Sequence, residues 1–272
     1  MPVKFGIDAI TGKQSELGED KGWTLEEFLD FTDKNDKTFK MNSLDEIDTS
    51  LISVNLDDFV NFKKKKCSFD SPEFIRLIEM IKKQSTTENA EPDDTVYPAK
   101  IVGIGDYMSF LYFASEYSGT DSKTVFKGIP DKKKTGANIN PQMILAISDK
   151  SENKAQAWEF AKYFLSKEYQ DSTVNEAVTF GFPVRKEALE NLMKNEEGKD
   201  YSSYGFTSEI NNNENVSLLK SIIENADHHV VSDSEIKKIL REALDEFYEG
   251  GKSSADTAKD IQNKVTAYLQ NL

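Results

Sequence analysis

The sequence predicts a helix-rich α/β chain with one or two small sheets. Two observations carry this. Apolar residues recur at helical spacing in stretch after stretch, and a few short apolar or β-branched runs without helical period lie between them. No segment repeats at a fixed period, which sets stacked-repeat architectures aside. Hydrophobic residues make up 38% of the 272, and 17 Phe and 10 Tyr add large side chains. That is enough apolar material for a globular core and argues against general disorder.

The elements follow in order. Residues 3–7 alternate weakly and predict a short strand. In the run 22–29, Thr24 stands as an N-cap with Glu27 three residues on, a capping box, and Trp23 precedes the cap where it can staple onto Phe28. Ser71 then caps a second helix with Pro72 at its first position, and Phe74, Leu77, Ile78 and Ile81 form its apolar face. Residues 83–95 are polar and read as a loop. A buried strand is predicted over 96–104, ending in the turn Gly103-Ile104-Gly105-Asp106, and an aromatic-rich helix over 108–117. Strands are predicted at 125–130 and within 141–148, with a polar loop at 131–140 between them. A long helix over 151–169 carries Ala157, Trp158, Ala161, Phe164 and Leu165, with both Trp23 and Trp158 expected in the core. Shorter helices are expected over 170–178 and 187–194, flanking an extended turn at 180–184. Residues 201–215 read as a loop. Helices over 233–249, closed by Gly250-Gly251, and over 254–272 end the chain.

Charge narrows the function. The formal net charge is -14 and the isoelectric point about 4.8, so phosphate backbones are repelled and nucleic acid is a poor partner. The basic run 63–66 reads as a solvated turn or helix end. One cysteine, Cys67, permits neither an internal disulfide nor a Cys-based zinc cluster, and reads as a small buried hydrophobe. His228 and His229 are adjacent, and on a helix would point about 100° apart, a poor metal pair. No metal or cofactor is expected. Gly103-Ile104-Gly105 is followed by Met108 where a dinucleotide fingerprint needs glycine. With 48 Asp and Glu, paired carboxylates of the glycosidase kind can be drawn anywhere, so that signal is empty. No run of about 18 apolar residues suggests a membrane span, and residues 1–7 lack the basic head and apolar core of a signal peptide.

Four stretches, taken in order, resemble the family 1 extracellular solute-binding proteins of ABC importers, the maltose-binding type. They are Gly22-Trp23-Thr24-Leu25-Glu26-Glu27-Phe28, Phe69-Asp70-Ser71-Pro72-Glu73-Phe74, the segment from Ile139-Asn140-Pro141 through Ser151-Glu152-Asn153-Lys154-Ala155-Gln156-Ala157-Trp158-Glu159-Phe160 and Leu165-Ser166-Lys167-Glu168-Tyr169-Gln170, and finally Phe182-Pro183-Val184-Arg185-Lys186-Glu187-Ala188-Leu189 with the ending at 261–269. The resemblance implies a periplasmic-binding-protein type II-like α/β fold. It places residues 1–98 and 148–272 in the C-terminal lobe and 99–147 in a return segment of the N-terminal lobe. It implies a non-catalytic protein that holds a solute, a sugar or oligosaccharide, between lobes and passes it to an ABC permease. The full-length protein would be extracellular and anchored to the cell surface, with a signal sequence and most of its first lobe ahead of Met1. Strands of 99–147 would then expose edges and favour self-association.

Within that frame, Asp106, Tyr107 and Phe110 follow a strand whose carboxyl end should meet the ligand. Asn138 and Asn140 precede a strand and can hydrogen-bond a ligand or shape the hinge. Tyr201, Tyr204 and Phe206 lie in a polar loop, where exposed aromatics can stack on sugar C–H faces. The competing readings are a carbohydrate-active enzyme using paired carboxylates and a helical protein-interaction domain.

Overall fold

The computed structural model describes residues 1–34, 39–40, 51–52, 55–87, 99–117, 123–134, 136–172, 181–204, 211–226, 228–229 and 233–272. They form two compact units. Unit 1 comprises Met1–Gly18, Val102–Phe126 and Ala137–His228, and unit 2 comprises Glu19–Ile101, Lys127–Gly136 and His229–Leu272.

Unit 1 is built on strand β1 (Pro2–Lys13), far longer than the short strand expected over 3–7. Polar Asp8 and Thr11 do not end it, because neighbouring strands hold it on both sides. β5 (Ala99–Ile104) lies on one side and β7 (Asn138–Ile144) on the other, and β6 (Thr124–Lys127) and β8 (Phe182–Pro183) also pair with it. β7 runs antiparallel to β1 with Ile7 opposite Ile139 and Asp8 opposite Asn138. Residues 138–140, expected in a loop, are therefore strand, and the strand ends at Ile144. Pairing with β1 supplies what the polar side chains do not. Pro141 sits beside a register irregularity, where a residue without an N–H is tolerated. Gly181 enters β8 at φ +88°, and a Cβ there would fall 2.8 Å from the Lys4 Cβ.

Alternation sorts the two faces of this sheet. Phe5, Ile7 and Ala9 of β1, with Val102 and Ile104 of β5, form the core face. Over it lie α5 (Tyr107–Ser115), α8 (Lys186–Glu196) and α9 (Asn213–Glu224), which contribute Tyr107, Phe110, Ala188, Leu192, Leu219 and Ile222. Residues 137–228 supply both a partner strand for β1 and the helices that cover it. The sequence reading does not anticipate α9. Its triple Asn, read as loop, is a cap, with Asn212 accepting the Asn215 N–H at 2.9 Å. Two of the three described strands of 99–147 are flanked on both sides over part of their length: β5 lies between β2 (Phe39–Lys40) and β1, and β7 between β1 and β9 (His228–His229). The edges expected to drive self-association are thus partly covered.

The helix expected over 151–169 is two helices, α6 (Lys154–Tyr163) and α7 (Lys167–Ser172). Ser166 interrupts it by capping the second, its Oγ accepting the Tyr169 N–H at 3.2 Å. Ala161 is the buried residue of α6, and Trp158, expected in the core, is 47% exposed. The small-residue side of this helix is the one that is buried.

Unit 2 is helical. In α2 (Leu25–Lys34) the capping box forms as the sequence predicts. Glu27 N–H donates to Thr24 Oγ1 at 3.2 Å, and Thr24 N–H to Glu27 Oε2 at 2.8 Å. The Trp23 and Phe28 rings meet edge to face at 5.1 Å. In α4 (Pro72–Thr87) Ser71 Oγ accepts the Phe74 N–H, and the helix runs on through residues 83–87, expected as loop. Lys83 and Gln84 are good helix formers and let the turn established upstream continue. Helices α10 (Ser234–Tyr248) and α11 (Ser254–Asn271) are capped by Asp233 and Ser253. Between β3 (Val60–Asn61) and β4 (Lys66–Cys67) the basic run forms a hairpin turn, with Asn61 Oδ1 accepting the Lys64 N–H. No described helix is long and apolar enough to cross a membrane.

Candidate functional site

The face of the unit 1 sheet opposite its core carries a cluster of polar side chains, and it gathers two of the residues the sequence singled out. Asp8, Asn138 and Asn140 share this face by register and alternation. Asn140 Nδ2 donates to both Asp8 oxygens, at 3.1 and 3.4 Å. Gly6 leaves room for the Gln142 side chain, since a Cβ would fall 2.7 Å from its Nε2. Exposed Gly103, in β5 on the far side of β1, would place a Cβ 3.6 Å from Asp8 Oδ1. With no side chain there, Gly103 places no group against the carboxylate.

Two features mark this face as more than a wet surface. Asn138 is fully buried, and neither its Oδ1 nor its Nδ2 has a hydrogen-bond partner. A buried amide in that state costs about 1–3 kcal/mol, so its retention calls for a reason. Burial also pushes the Asp8 carboxyl above the usual carboxylate range, against the downward pull of the Asn140 hydrogen bond. The set of groups suits a ligand that both donates and accepts. Asp8 offers acceptors, and the Asn138 amide offers two donor hydrogens and an acceptor. Among the described residues no group of three or more His, Cys, Asp or Glu gathers.

The remaining candidates divide. Asp106 caps α5, its Oδ1 accepting the Ser109 N–H at 2.7 Å. Tyr107 and Phe110, expected at the ligand, are core residues of that helix. The Tyr107 hydroxyl donates to Asn211 Oδ1 at 2.7 Å, and burial, with Glu196 and Glu197 nearby, pushes its pKa up. Asn211 Nδ2 in turn donates to the carbonyls of Glu196 and Lys199, both at 2.8 Å. Tyr201 is buried and donates its hydroxyl to the Glu196 carboxylate, which also receives Lys199 Nζ at 2.6 Å. This network ties α5 to α8 and to the residue leading into the cap of α9, and its members are engaged with one another. Tyr204 is 64% exposed on a 3₁₀ turn. Phe206 lies outside the described residues. Asp8 is the residue sequence reasoning missed. It sits past the end of the predicted strand, and only the pairing of β1 with β7 brings it beside two asparagines.

Unit 2 holds a cavity of about 300 Å³ bordered by Thr24, Asp58, Ser68, Ser71, Glu73 and Lys132. Thr24 and Ser71 are spent on helix caps, and Asp58 accepts the Lys132 N–H at 3.1 Å. Cys67 lies against Thr266 Oγ1 at 3.3 Å, and burial pushes its thiol pKa up, the opposite of a reactive thiolate.

The fold has relatives among known proteins. The family described as bacterial extracellular solute-binding protein matches residues 9–204. The chain belongs to that family, and solute binding is its function. No curated protein matches the sequence. Among solved structures, an ABC transporter solute-binding protein from Thermotoga lettingae TMO, bound with α-D-tagatose, is similar at 16% identity and a TM-score of 0.59, over 99% of this chain and 72% of that one. Maltose-bound MalE3 of T. maritima matches at 13% identity and a TM-score of 0.56, covering 98% and 72%. A periplasmic oligogalacturonide-binding protein from Yersinia enterocolitica matches at 15% and 0.56, covering 100% and 72%. At these identities the likeness is one of fold.

Proposed function

We propose that this chain captures a carbohydrate outside the cell, as the solute-binding component of an ABC importer held at the cell surface, and delivers it to the membrane permease. The observation that carries the ligand class is the buried Asn138 amide without partners, beside Asp8 and Asn140. Neutral hydroxyl groups answer both the donors and the acceptors of this face. Neighbours of the same fold hold tagatose and maltose, which supports the reading. Asn138 and Asn140 hydrogen-bond the sugar. Capture needs no covalent step: the ligand stabilises the state in which these groups are satisfied.

A ligand that binds only the folded chain raises its melting temperature by mass action. Thermal melts against a panel of mono- and oligosaccharides should therefore find at least one sugar that shifts the midpoint by several degrees. A flat response across the panel, with amino acids and short peptides shifting it instead, would replace carbohydrate with another solute class.

A further inference from the structure

We infer that the Asp8–Asn138–Asn140 face takes a neutral sugar and rejects the corresponding sugar acid, an inference that rests on the carbohydrate reading above. The geometry supplies the reason. Asp8 is the one charged group among these three residues, and its only partner there is a neutral amide, Asn140 Nδ2 at 3.1 and 3.4 Å. No cation enters the balance at Asp8 among the described residues. A neutral diol suits this set: one hydroxyl donates to the Asp8 carboxylate, and a second meets the Asn138 amide. A uronate in the same pose brings a second carboxylate toward the first, and like charges in a half-buried setting disfavour each other. Gly103 beside Asp8 does not relieve this, because a glycine contributes no donor side chain. Around the site the chain as a whole carries a formal charge of -14, which adds to the repulsion at low salt.

The test uses matched pairs that differ only at the carboxyl carbon: glucose with glucuronate, galactose with galacturonate, and mannose with mannuronate, together with the neutral glucuronamide. Melting shifts and titration calorimetry are run at pH 7.5 on the full chain and on Asp8→Asn. In the parent chain a sugar that binds should do so at least about tenfold more tightly than its uronate, with glucuronamide behaving as a neutral sugar. Asp8→Asn keeps the shape and an acceptor for Asn140, and should bring sugar and uronate within about threefold of each other. Equal binding of the pair by the parent chain overturns the inference while leaving carbohydrate capture standing. So does an undiminished preference in Asp8→Asn. Absence of binding by every neutral sugar and every uronate overturns the carbohydrate reading, and the inference with it.

Discussion

On the proposed reading, stability and capture pull in opposite directions at Asn138. Its amide is buried with both polar atoms unpaired, in a strand where an apolar residue of the same shape would sit without penalty. Leucine is close to asparagine in shape and carries no polar atom. Asn138→Leu is therefore expected to raise unfolding stability by about 1 kcal/mol, or roughly 2–4 °C in melting temperature, and at the same time to abolish the shift produced by sugar. The two readouts come from the same melts. A destabilised variant that still responds to sugar would make Asn138 a structural residue. Tyr107 gives the contrast. Its hydroxyl is also buried, but Asn211 accepts it at 2.7 Å, so nothing remains to offer a ligand.

Among elements, the ones fixed by neighbours along the chain were legible in the sequence, and those fixed from across the fold were not. The cap of α2 is local: Thr24 and Glu27 exchange backbone and side-chain bonds within one turn. Thr24→Ala removes the acceptor for the Glu27 N–H and is expected to cost about 1 kcal/mol in a denaturant midpoint with unchanged slope. Glu27→Gln keeps the box and should be close to neutral, since the Lys134 ion pair it loses is exposed. Equal losses from both variants would move the effect from the cap to the ion pair. β7 is the opposite case. Asn138 and Asn140 carry low strand propensity, and pairing with β1 imposes the conformation. The same pairing makes the candidate site. Both asparagines were legible as polar residues before a strand, but Asp8 and the orphaned amide depend on register, which no local pattern specifies. Trp158 failed for a related reason: period identifies an apolar stripe, and which side is buried depends on what packs there.

At the scale of the whole molecule, the path of the chain decides how it unfolds. Each unit is assembled from three separate segments, so neither is a continuous stretch that could come away alone. If unit 1 unfolded while unit 2 held, residues 102–126 and 137–228 would become loops with both ends fixed. Closing two such loops costs on the order of 7 kcal/mol in chain entropy, and the reverse case is of similar size. An intermediate with one unit unfolded is disfavoured by that amount, and unfolding should be a single transition. The two tryptophans make this measurable. Trp23 is buried in unit 2, and Trp158→Phe leaves it as the sole tryptophan. In that background, Phe110→Ala cuts a fully buried ring from the core of unit 1. The expected loss is about 3–5 kcal/mol, or roughly 6–20 °C. Although Phe110 belongs to the other unit, Trp23 fluorescence should report the whole of that drop, at the same midpoint as far-ultraviolet circular dichroism. A Trp23 transition that stays in place while the dichroism midpoint falls would show that the segmented chain path does not couple the two cores.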